Sequence, residues 1–228
     1  MFYIVIMVLL FVLLYGPSLW VKWVLNRHSK ELPDIPGTGG ELAVHLVNRF
    51  ELEGVKVEET GPDQNFYHPG DNMVGLSPRV FQGRSLTAIA VAAHEVGHAI
   101  QFNRKEPVTR LRLRYLDKAH VIQRAGTVIL MAAPFAFALF HVPHAMIFTA
   151  LLGIATMLVS VAVYAAILPE EWDASFNKAL PILIEGEYVD EQQLKAVRQI
   201  LKACALTYVA AALADILSLW RWIAILRR

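Results

Sequence analysis

Apolar residues in this chain gather into long runs, set apart by stretches rich in charge and turn residues. Residues 2–25 are apolar apart from Lys22 and a few small or hydroxylic positions, and such a run is long enough as a helix to span a bilayer. No Lys or Arg precedes the run, and Tyr15-Gly16-Pro17 is a poor cleavage site. The pattern therefore reads as a retained anchor, kinked at Gly16-Pro17, rather than a signal peptide. Two further runs, 125–140 and 145–168, are joined by His141-Val142-Pro143-His144, which reads as a membrane hairpin with a very short loop. A fourth run, 205–226, carries Asp215 and Arg221, so its crossing is open. The pattern predicts a mainly α integral membrane protein with three to four transmembrane helices and a small α+β domain.

Between the first two runs the period changes. Thr38 is placed to cap a helix reaching about Glu53, with Leu42, Leu46, Val47 and Phe50 on one face and Gly54 as its stop. Residues 55–60 and 72–77 read as short strands around the turn-rich 61–71 segment. Ser85 then opens a helix of small apolar residues over 86–102. The division is an anchor at 1–27, a polar domain at 28–124, the hairpin at 125–168, a polar helical segment at 169–203 and a last apolar helix at 204–228.

Composition agrees with a membrane setting: 56% of the 228 residues are hydrophobic and 18% charged. A net charge of +1 gives no reason to expect a nucleic-acid partner. The single cysteine, Cys204, rules out an intramolecular disulfide and a cysteine cage for a metal. Lys and Arg crowd into 27–30, 104–124 and 178–202, whereas the 141–144 loop has none. If the first three runs cross, these segments face the cytoplasm. Arg227 and Arg228 count against that scheme. The 104–124 stretch suits anionic headgroups.

The chemistry concentrates in His94-Glu95-Val96-Gly97-His98. Positions i and i+4 share a helix face, so both imidazoles can bind one ion, and zinc is the metal this pattern favours. Glu95 reaches a water on that ion without being a ligand, and can act as the catalytic general base. Two histidines and a glutamate buried for packing alone would need several hydrogen-bond partners. A hydrolytic zinc takes three protein ligands, and no third histidine follows His98. Candidates for the third are Glu170, Glu171, Asp173, Glu185, Glu187 and His120, with the cluster Pro169-Glu170-Glu171-Trp172-Asp173 favoured.

Three stretches carry a resemblance: Leu76-Ser77-Pro78, Gly83-Arg84-Ser85, and the helix from Ala88 through His94-Glu95-Val96-Gly97-His98 to Gln101. With Leu168-Pro169-Glu170-Glu171-Trp172-Asp173-Ala174-Ser175, they resemble the bacterial membrane zinc metallopeptidase family typified by YugP. The resemblance spans nearly the whole chain. It implies a gluzincin-like site, similar to that of the HtpX-type membrane proteases, in which a downstream glutamate completes the ligand set. Aligning the Leu-Pro-x-Glu segment places that ligand at Glu171. Such relatives carry an acid four residues later, where this chain has Ser175, and Asp173 becomes a candidate to orient a histidine. Upstream, Asn65-Phe66-Tyr67-His68-Pro69 departs from the family's Asp-His-Tyr-Asp-Pro but keeps Tyr67, a candidate oxyanion donor. The strand at 73–77 would, by the same resemblance, offer an edge to an extended substrate.

Together these readings lead us to expect a multi-pass cell-membrane endopeptidase holding one zinc per chain, with its site on the cytoplasmic side. Its partners would be peptide or membrane-protein substrates, in a quality-control role, and the lipid bilayer. The competing class is a non-catalytic, zinc-containing membrane scaffold, against which the retention of Glu95 argues.

Overall fold

The chain forms eight α-helices among the described residues: α1 (Phe2–Arg27), α2 (Gly39–Arg49), α3 (Pro78–Phe81), α4 (Leu86–Asn103), α5 (Arg110–Phe140), α6 (Pro143–Trp172), α7 (Leu180–Glu185) and α8 (Leu194–Leu226). Three short strands, β1 (Lys56–Glu59), β2 (Phe66–His68) and β3 (Met73–Leu76), lie between α2 and α3. A π-helical segment, Asp173–Ala179, follows α6 directly. This computed structural model describes residues 2–140 and 143–226. The chain divides into a unit of Trp20–Arg110 with Pro169–Leu206, and a unit of Met1–Leu19, Leu111–Leu168 and Thr207–Arg228.

In the first of these units α4 is the core. Every residue from Leu86 to Gln101 is buried, so the helix has no solvent face. That is possible because Ala88, Ala90, Ala92, Ala93, Gly97 and Ala99 let neighbouring backbones come close on several sides. The Ser85 Oγ accepts from the Ala88 N–H at 3.1 Å and caps its start. Helix α2 packs on α4, with Leu42, Ala43, Leu46 and Val47 buried. Its capping box is complete, Thr38 bonding the Glu41 N–H and Glu41 bonding the Thr38 N–H. Gly54, at φ 74°, takes the left-handed turn that follows the helix.

The sheet has the order β1-β3-β2, with β1 parallel and β2 antiparallel to β3. Strand β2, Phe66–His68, falls in the segment read from sequence as turns only. It pairs Tyr67 with Val74, and Asn65 Oδ1 then accepts from both the N–H and the hydroxyl of Ser77. The strand expected to offer an edge to substrate is thus the central one, flanked on both sides.

In the other unit Arg112 is buried and donates to the Tyr208 hydroxyl at 3.0 Å, its guanidinium 5.4 Å from that ring's centre. Tyr208 stacks on Tyr164, and the Ser18 hydroxyl donates to the Ala210 carbonyl. Here one expectation is overturned. Among the described residues, no helix is long and apolar enough to cross a membrane, against the three to four crossings expected. A crossing needs about 20 predominantly apolar residues in succession. Helix α5 spends its first half on Arg110, Arg112, Arg114, Asp117, Lys118 and Arg124, which shortens its apolar part to less than a crossing. The assignment of the catalytic residues to the cytoplasmic side presupposes those crossings and falls with them. The 141–142 loop positions and the side chains of His120, Asp215 and Arg221 lie outside the described residues.

Gly97 is where α4 meets the π-helical segment: a Cβ there would sit 2.7 Å from the Ala174 carbonyl oxygen. Because the obstacle is backbone, Gly97→Ala should cost toward the upper end of about 1–3 kcal/mol. That exceeds the roughly 1 kcal/mol an alanine returns in a helix interior. Thermal unfolding should show a lowered Tm for Gly97→Ala and none for Gly16→Ala, whose Cβ would meet only Val12 at 3.9 Å. An unchanged Tm for Gly97→Ala would refute the close approach.

Candidate metal centre

His94, Glu95 and His98 lie on α4, buried, with one ligand atom of each within 4.8 Å of the others. The two imidazole rings stand nearly perpendicular, 81° apart, with centroids separated by 4.7 Å. Facing them from the end of α6 is Glu171, only 1% exposed. Its Oε2 lies 3.2 Å from His98 Nε2 and 3.4 Å from His94 Nε2. Tetrahedral zinc, with bonds near 2.0–2.2 Å, separates its ligand atoms by about 3.4 Å. The spacing of Glu171 from both nitrogens therefore fits a shared ion.

The neighbouring glutamate is placed differently. Glu170 Oε1 lies 3.6 Å from His98 Nδ1, on the opposite edge of the ring from Nε2. The two consecutive acids, which spacing could not separate, thus address different nitrogens of one histidine. Of the other candidates, Glu185 and Glu187 are exposed.

Burial alone pushes the Glu171 carboxyl up, but the charges and hydrogen bonds of His98 and His94 outweigh it and hold it well below its ordinary value. An ionised carboxylate and two imidazole nitrogens therefore converge in a water-poor place. Such a donor set suits a divalent cation of zinc's type.

Behind the rings lies a layer of hydrogen bonds. Ser175 Oγ sits 3.0 Å from His94 Nδ1 and also donates to the Leu201 carbonyl at 3.0 Å. Glu171 and Ser175 are four residues apart, so one turn brings them to opposite nitrogens of the same histidine. Gln101 Oε1 lies 3.0 Å from His98 Nδ1, while its amide N–H groups donate to the Glu170 carbonyl and to Asp173 Oδ2, at 3.0 and 2.8 Å. Asp173 thus touches His98 through Gln101. Tyr67 goes elsewhere: its hydroxyl donates to Asn72 Oδ1 at 2.7 Å and its ring tilts against Phe102. Gln101 had no role in the sequence reading, although three residues past His98 it shares that histidine's helix face.

Residues 3–227 match the family described as "Putative neutral zinc metallopeptidase". The protein named "Putative membrane protease YugP" of Bacillus subtilis (strain 168) is 32% identical over 217 residues, covering 92% of each chain. The chain belongs to this zinc metallopeptidase family. No solved structure matches it. The family implies zinc, and the donor set of this chain is compatible with it.

Next to the centre, Lys178 Nζ lies 3.1 Å from both Asp173 Oδ2 and Glu106 Oε2. Burial pulls its ammonium down, but the hydrogen bonds and charges of Asp173 and Glu106 outweigh this and raise it above its ordinary 10.5. A raised value means that the stability contributed is complete below pH 10.5 and is lost as pH rises through the folded value. Lys178→Met should therefore destabilise at neutral pH by roughly 1 kcal/mol. Urea unfolding followed against pH should show this gap closing above pH 10.5. A gap of constant size into alkali would contradict the ion-pair account.

Proposed function

We propose that this protein is a zinc-dependent endopeptidase in which His94, His98 and Glu171 hold one zinc per chain and Glu95 is the general base. The observation that carries the reading is the placement of Glu171 Oε2 at 3.2 and 3.4 Å from the two Nε2 atoms. Zinc bound there supplies Lewis acidity toward a water and a peptide carbonyl. Glu95 takes the proton of the attacking water and passes it to the leaving amine. It suits that work because it is buried within ligand distance of both histidines while Glu171 takes the coordinating position. A purely structural site has no need of such an acid, which argues against the scaffold reading.

Membrane or membrane-proximal proteins are the proposed substrates, consistent with a quality-control role. The relative's name supports this, and so does the surface of the unit containing α5. There Val128, Phe135, Leu139, Phe148 and Leu151 are all more than half exposed. Large apolar side chains exposed to this degree suit contact with lipid or protein. If lipid covers these side chains, the protein should stay with the membrane fraction through a high-salt wash. Recovery in the supernatant would remove the lipid proposal.

Metal content of purified protein tests the centre without a known substrate. Wild type should carry about one zinc per chain, retained in Glu170→Ala and lost or weakened by at least tenfold in Glu171→Ala. Glu95→Gln should keep its zinc yet lose hydrolysis of an unfolded protein such as casein by about two orders of magnitude or more. A zinc-free wild type prepared without chelators would defeat the reading, and so would a Glu95→Gln variant as active as wild type.

A further inference from the structure

We infer that Gln101 and Ser175 lock His98 and His94 in the tautomer that carries its proton on Nδ1, which aims both Nε2 lone pairs at the Glu171 side. The inference rests on the proposed ligand set for its purpose, but its logic comes from the hydrogen bonds behind the rings.

Gln101 is fully buried, and its side-chain nitrogen lies 3.0 Å from the Glu170 carbonyl oxygen and 2.8 Å from Asp173 Oδ2. A carbonyl oxygen accepts only, and so does an ionised carboxylate. The amide must therefore turn its N–H groups toward them and its oxygen toward His98 Nδ1, 3.0 Å away. An amide oxygen cannot donate, so the proton of that contact belongs to His98 Nδ1. Asp173 is itself held by Asn177 at 2.7 Å and Lys178 at 3.1 Å, both donors, so it keeps an acceptor's face toward Gln101.

Ser175 reaches the same end by another route. Its hydroxyl has one proton, which goes to the Leu201 carbonyl at 3.0 Å. The oxygen is then an acceptor toward His94 Nδ1, also at 3.0 Å, and that nitrogen must supply the proton. Two unrelated devices, an amide whose orientation is dictated and a hydroxyl whose proton goes to Leu201, thus favour one tautomer in both rings, against the Nε2–H donation that Glu171 Oε2 at 3.2 and 3.4 Å would accept in the metal-free protein. A neutral imidazole with its proton on Nδ1 has its lone pair on Nε2, the atom facing Glu171 in each ring. Gln101 and Ser175 are positioning residues: they touch the histidines, not the substrate.

The test reads tautomers directly. Histidine-labelled protein, treated with chelator and kept alkaline enough for neutral rings, gives nitrogen–proton correlation patterns that differ between the two tautomers. Wild type should show the Nδ1–H pattern for both rings. Ser175→Ala should disturb that pattern at His94 and leave His98 alone, and Gln101→Met should do the reverse. In the zinc-binding protein, chelator competition should show affinity falling about ten- to hundredfold in each variant. Thr87→Val removes another largely buried hydrogen bond of this unit, to the Leu25 carbonyl at 2.8 Å, and should leave both readouts at wild-type values. An Nε2–H pattern in the wild type, or variants indistinguishable from Thr87→Val, would overturn the lock. Nδ1–H patterns in a protein that takes up no zinc would support the lock and defeat the ligand assignment, so the two can fail separately.

Discussion

The constraint on which the rest depends is the meeting of three electron-rich atoms inside the protein: His94 Nε2, His98 Nε2 and Glu171 Oε2, with the carboxylate 3.4 Å or less from each nitrogen. Atoms of that kind repel one another unless a proton or a cation lies between them, and burial leaves little water to screen them. The surroundings can be read as the means of holding this unfavourable set in place. Helix α4 is buried along its whole motif, so its histidines cannot turn out to solvent. The close pass of Gly97 against Ala174 fixes the opposing segment by backbone contact, which yields less than side-chain contact would. The π-helical turn begins two residues after Glu171, and such turns often mark places where a helix re-aims its side chains for function.

How far the sequence disclosed this depends on the range of the interaction. His94, Glu95 and His98 sit within one stretch of helix, so their spacing alone exposed them. The caps at Thr38 and Ser85 were legible for the same reason, each being a contact over three residues. Glu170 and Glu171 could not be told apart by spacing, because adjacent acids differ only in which edge of His98 they meet, and that edge is set by an element 73 residues away. Ser175 stood out only as a departure from a family pattern. Gln101 had no signal at all, since an amide three residues beyond a histidine is ordinary until Asp173 and the Glu170 carbonyl are brought beside it. The strand Phe66–His68 was missed because three residues among turn formers acquire strand geometry only from pairing with β3.

The expectation of membrane crossings went astray for a related reason. Apolar runs report that a helix must be covered, and do not say by what. Helix α4 is itself an apolar helix without a polar face, and it is covered by protein on every side. Elsewhere, Arg112 lies in a basic stretch that sequence assigns to headgroups, yet it is buried beneath the Tyr208 ring. Charge and hydropathy averaged along a chain cannot anticipate a guanidinium that spends its charge on an aromatic face and a hydroxyl.

The same carboxylates that favour a cation also keep the neighbouring thiol protonated. Cys204 is buried near the centre, and a thiolate there would be the softest donor within reach. Burial pushes its thiol far above the ordinary range, and the Glu95 and Glu171 carboxylates push it further in the same direction. A thiol kept protonated is a poor ligand and a poor nucleophile. Glu95 and Glu171 therefore act twice. They make positive charge favourable at the histidine nitrogens, and they make a second negative sulfur ligand costly.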